Sequence, residues 1–122
     1  VRVKILQKFE TLKKNICFQN IFQKGHSING KYLVVYFLLN SMGYNRYGFC
    51  VGQKLGTAVT RNRIKRRLRA VVNDLNQSCS QNYDILLVAR NSIREADFVQ
   101  IMAELKLIML KAKLTNKSDL KL

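Results

Sequence analysis

A chain of 122 residues, 48% of them hydrophobic and 24% charged, is long enough to bury one core without disulfide staples. Its 22 Lys and Arg against 7 Asp and Glu give a net charge of +15, which points to nucleic acid or an anionic membrane surface as the partner. The 3 cysteines form no CxxC, His26 stands alone and the carboxylates are scattered. Neither a metal centre nor an acid–base catalytic set is therefore legible, and no cofactor is expected to be held by the protein itself.

A mobile basic arm is expected over about residues 1–12. It has no signal-peptide core, so a cytosolic protein is expected. Asn15 can cap a short helix that ends at Gly25, with Phe18, Ile21 and Phe22 on one side. His26 to Lys31 reads as a turn with room for a short additional strand. The β-branched and aromatic run Tyr32 to Leu39 reads as a strand, too short to cross a membrane, with Tyr32, Val34, Tyr36 and Leu38 on one face. Turn residues Asn40 to Gly43 should fold a second strand, about Arg46–Gln53, back on the first as a hairpin.

Thr57 is placed to cap the next helix, which should run to about Gln77. Its apolar stripe is Ile64, Leu68, Val71, Val72 and Leu75, at the spacing of one helix face. The nine residues Arg61 to Arg69 also hold six cations, five of them Arg. At ~100° per residue, Arg63, Arg66 and Arg69 point away from the stripe, while Arg61, Lys65 and Arg67 flank it. Like-charge pairs at i,i+3 and i,i+4 cost ~0.2–0.5 kcal/mol each, and cations near a helix N-terminus oppose the macrodipole. An external polyanion removes both penalties, and Arg is the better bidentate phosphate ligand.

Tyr83 to Ala89 is nearly continuous apolar sequence, as expected of a central strand covered on both faces. Asp97 should cap a last helix with the stripe Phe98, Ile101, Met102, Leu105, Ile108, Met109 and Ala112. A polar tail follows, at about 115–122. The order α-β-β-α-β-α, without a repeat or a linker, predicts an α/β fold: a single-domain α-β sandwich over residues 1–122 with a mixed sheet of about four strands.

The set Lys54, Gly56, Ala58, Val59 and Arg61-Asn62-Arg63-Ile64-Lys65-Arg66 resembles the signature of the bacterial ribonuclease P protein subunit family. The flanking matches are Phe18 and Phe22, Tyr36, Gly48, Val51 and the Asp84-to-Arg90 strand, so the resemblance runs from about Leu12 to Lys113. It implies a left-handed β-α-β crossover carrying the basic helix, against the general right-handed rule. It also implies a non-catalytic protein component of an endoribonuclease whose RNA subunit, with Mg²⁺, removes the 5′ leader of precursor tRNA. Lys54, Arg61, Arg63, Arg66 and Arg67 would bind that catalytic RNA subunit. Phe18, Phe22, Tyr36, Asn62, Lys65 and Arg69 would line a cleft for the single-stranded leader, whose bases stack on rings with little regard to sequence. On pattern alone, Phe18 and Phe22 are equally good core residues. Gln53 stands where many members carry a second basic residue, and Ala70 where a polar one is common.

Three other readings compete. A structural ribosomal or general RNA-binding protein without a role in cleavage would share the charge and size. A DNA-binding regulator fits less well, because arginines on nearly every exposed helix position leave few side chains to read bases. No DNA or membrane partner is expected. A protein enzyme acting alone lacks a catalytic set.

Overall fold

The computed structural model describes residues 10–12, 15–76 and 82–113. The rest of the expected arm and tail, the last turn expected for the basic helix, Cys79 and the side chains of Asn15 and Cys17 lie outside the described residues. In chain order the elements are β1 (Glu10–Thr11), α1 (Asn15–Lys24), β2 (His26–Asn29), β3 (Leu33–Leu39), β4 (Arg46–Cys50), a 3-10 turn at Gln53–Leu55, α2 (Ala58–Leu75), β5 (Tyr83–Ala89), a second 3-10 turn at Asn91–Glu95, and α3 (Phe98–Lys111).

The sheet is mixed, in the order β1-β4-β5-β3-β2. Four strands are of ordinary length and β1 adds a two-residue edge. The apolar run of β5 takes the centre, parallel to β4 and antiparallel to β3. This overturns the hairpin expected between the strands on either side of Asn40–Gly43. A strand whose residues Asp84 to Leu87 are all buried needs a neighbour on each edge, and β5 gains them by inserting between β3 and β4. The hairpin forms one step earlier, where β2 pairs with β3 from His26↔Phe37 to Asn29↔Val34. Residues 10–12, expected in the arm, belong to the sheet. Glu10 and Thr11 pair parallel with Arg46 and Tyr47, the Leu12 N–H donates to the Tyr47 carbonyl at 2.7 Å, and Leu12 is buried.

The register sets the hand of the β4-α2-β5 unit. Along an extended L-chain with a side chain pointing up, that residue's N–H and C=O point right. Arg90 donates to the Tyr32 carbonyl and Asn40 to that of Asn82, so even-numbered residues of β5 face β3. Odd-numbered Ile85 and Leu87, whose side chains lie on the α2 face, therefore turn their backbone groups towards β4. Seen from α2 with both strands running upward, β4 lies to the right of β5. The chain moves leftward through α2, and the crossover is left-handed.

Helices cover both faces. On one, the whole α2 stripe from Ile64 to Leu75 is buried against Leu33, Val35, Ile85 and Leu87, with Ile101, Leu105 and Met109 of α3 completing the core. Thr57 caps α2 by accepting from the Thr60 N–H, and Asp97 caps α3 in a full capping box with Gln100. The other face carries a smaller cluster of Leu12, Ile21 and Leu86, on which Phe18, Tyr36, Leu38, Cys50 and Val88 pack half-buried. Because α1 has only 10 residues, it leaves part of this face open.

Candidate nucleic-acid interface

With its apolar stripe buried, α2 presents three different edges. Arg63 and Arg66 point outward and are exposed, as is Lys54 in the turn before the helix. Arg67, half-buried, lies along the margin towards Ala96 and donates Nη1 to that carbonyl at 2.7 Å, so part of its guanidinium is already engaged. Along the opposite margin, Arg61 and Lys65 are half-buried, while Arg69 and Asn62 are exposed. Among the described residues, the Arg61 Nε is a buried side-chain donor without a partner.

That second margin overlooks a cleft of about 250 Å³ lined by Thr11, Leu12, Phe18, Phe49, Lys65 and Arg69. Its position follows from β4. The β1 pairing stops at Thr11↔Tyr47, so Phe49 on one face and Gly48 on the other lie beyond the covered part of the edge. Gly48 is required by a close approach. A Cβ there would lie 2.8 Å from both Phe18 Cε1 and Leu86 Cδ1. The missing side chain lets the Phe18 ring come close to the β4 backbone, where it packs against Leu12, Ile21 and Leu86 and lines the cleft. Phe18 therefore serves as core and as cleft wall at once. Opposite it, the Arg69 guanidinium carbon sits over the Phe49 ring, 5.6 Å from its centroid.

A second aromatic pair continues along the same face of the sheet. Phe22, 45% exposed, meets Tyr36 edge-to-face with centroids 4.8 Å apart and planes at 82°. Burial pushes the Cys50 thiol above its ordinary pKa, and the Lys65 charge offsets part of that rise. Lys65 is therefore within electrostatic reach of the open sheet face.

The structure thus brings Phe18, Lys65 and Arg69 into one cavity and sets Phe22 and Tyr36 together beside it. Asn62 sits on the same helix edge as Lys65 and Arg69, at i, i+3, i+7, outside the cavity wall. Arg63 and Arg66 share the outward side of α2, and Lys54 is exposed in the turn that precedes it. Thr11, Leu12 and Phe49 are cleft residues that sequence reasoning missed. The first two were assigned to the arm. Phe49 had a signal in its place beside Gly48, since strand neighbours point to opposite faces.

Among the described residues no group of three or more His, Cys, Asp and Glu side chains is placed to hold a metal ion. No helix there is long and apolar enough to cross a membrane.

Comparison with known proteins gives a consistent result. The family model described as Ribonuclease P matches residues 6–113. The chain is 42% identical over 113 residues to the ribonuclease P protein component of Natranaerobius thermophilus, covering 93% of this chain and 98% of that one. It is 40% identical over 101 residues to the component from Mesoplasma florum, covering 82% and 92%. Among solved structures, the RNase P protein of Staphylococcus aureus superposes with a TM-score of 0.78 at 36% identity, covering 89% of this chain and 100% of that one. That of Thermotoga maritima gives 0.77 at 30% identity, covering 84% and 96%.

Proposed function

The chain belongs to the ribonuclease P protein family and is a protein subunit of that endoribonuclease; from this premise we propose that it joins a catalytic RNA through the outward side of α2 and holds the 5′ leader of precursor tRNA in the cleft on the other margin. The observation that carries this reading is the two-sidedness of one helix. Arg63 and Arg66 on its outward side, and Lys54 in the turn before it, are exposed to solvent. Lys65 and Arg69 of the same helix line a cavity with the Phe18 ring. Exposed cations suit the phosphate rows of a large folded RNA. A cleft that combines cations with rings suits a single strand, whose backbone seeks charge and whose bases seek π-faces.

The protein's part is placement. Arg63 and Arg66 neutralise phosphates of the RNA subunit from the outward side, and Arg61 and Arg67 add to them from its two margins, Arg67 with the donors not bound to Ala96. Phe18, Phe22 and Tyr36 offer stacking surfaces, Lys65 and Arg69 supply charge, and Asn62 can donate and accept at a base edge. The phosphodiester is hydrolysed by the RNA subunit with Mg²⁺. Reconstitution with a ribonuclease P RNA at low Mg²⁺ tests the reading. The chain alone should leave precursor tRNA intact, and the assembled particle should cleave it faster than the RNA alone. RNA-free cleavage at the mature 5′ end that survives Arg61→Ala and Lys65→Ala would overturn it.

A further inference from the structure

Arg69 differs from the other exposed arginines of α2. Among the described residues, no ring, carbonyl or carboxylate lies against Arg63 or Arg66. The Arg69 guanidinium, by contrast, lies over the Phe49 ring, and both side chains line the cleft together with Phe18. Phe49 is anchored, because its ring packs against the main core from the α2 side of β4. It reaches the cleft because the pairing of β1 ends before it.

We infer that Phe49 is a positioning residue, which holds Arg69 at the wall of the cleft so that a leader nucleotide meets a cation already in place. A free arginine loses rotamer freedom when it binds, and one resting on a ring has given up part of that freedom beforehand. The face of the guanidinium turned away from Phe49 stays open to a base, and its N–H edges stay open to phosphate. This rests on the leader-cleft reading above and adds a residue and a mechanism to it.

The test is a double-mutant cycle in the reconstituted particle, comparing affinity for precursor tRNA with affinity for mature tRNA, which lacks the leader. Phe49→Leu should weaken precursor binding about two- to fivefold, the range of an exposed cation–ring contact, and leave mature tRNA binding unchanged. Phe49→Tyr, which keeps the ring, should retain wild-type affinity. In an Arg69→Ala background, Phe49→Leu should have no further effect. Thermal unfolding of each variant, with binding measured well below its midpoint, separates positioning from folding. An equal loss for both tRNA forms, the same loss with and without Arg69, or no loss at all would overturn the inference. If the unmodified particle itself fails to prefer precursor over mature tRNA, the leader-cleft reading fails with it.

Discussion

At the scale of single residues, two side chains owe their behaviour to partners far away in sequence. Cys50 is half-buried on the open sheet face, where burial raises its pKa and the Lys65 charge partly counters the rise. At neutral pH it should be a thiol and alkylate slowly, with the rate climbing as pH rises. Lys65→Ala should slow it further, and peptide mapping of the labelled protein reads Cys50 separately from Cys17 and Cys79. Faster labelling in Lys65→Ala would show that access, not charge, controls the site. The second residue is Glu104 on α3. Its carboxylate accepts the backbone N–H groups of Lys31, Tyr32 and Leu33, with Leu33 at 2.8 Å, and so pins the β2–β3 turn to the helix. Gly30 makes room, since a Cβ there would lie 2.5 Å from Glu104 Cδ. Glu104→Ala removes the acceptor of all three N–H groups, of which only that of Leu33 belongs to a buried residue, and should cost about 1–3 kcal/mol, the range for one orphaned buried group. The urea midpoint measures it.

At the scale of elements, β4 and α2 divide the work. Gly48→Ala should cost about 1–3 kcal/mol by overpacking. The new methyl displaces Phe18, so precursor tRNA binding should fall along with stability. If stability falls and leader affinity does not, the Phe18 ring is core only. On α2, Arg63→Ala with Arg66→Ala should leave the fold intact, weaken assembly with the RNA subunit and flatten the log–log salt dependence by roughly 0.7–0.9 for each lost phosphate contact. Arg67→Ala should behave differently. It loses the bond to the Ala96 carbonyl, so stability should drop by about 1 kcal/mol while the salt slope changes less. Equal slopes for Arg67→Ala and Arg63→Ala would place both on the RNA.

For the whole molecule, assembly and leader binding should be separable because they use opposite sides of α2. Phe18→Ala with Tyr36→Ala should lower affinity for precursor tRNA by about 1–3 kcal/mol for each lost stacked base and spare mature tRNA. Arg63→Ala with Arg66→Ala should weaken assembly with the RNA subunit and leave the ratio of the two tRNA affinities in the assembled particle unchanged. A change of that ratio in the arginine variant would mean that the two surfaces are one.

Local pattern alone determined several features. The 3.6-residue stripes and the caps Thr57 and Asp97 specify α2 and α3, because helix periodicity and capping involve residues within a turn or two of each other. The same periodicity sets Arg63 and Arg66 outward and Arg61, Lys65 and Arg67 at the margins, but it groups Arg69 with the outward pair, whereas the fold lays it over Phe49 in the cleft. The ordered set of motif residues identified the family. Tertiary structure decided which strands are neighbours. The turn at Asn40–Gly43 looks the same whether β3 and β4 pair directly or admit β5 between them, and only the demand of a doubly buried strand for two partners settles it. The cleft depends on that decision. Its walls come from Thr11, Leu12, Phe18, Phe49, Lys65 and Arg69 on four separate elements and a connecting residue, and no local periodicity relates them. Burial of one helix face is written in the chain, but the cavity beside it exists only once the sheet order is set.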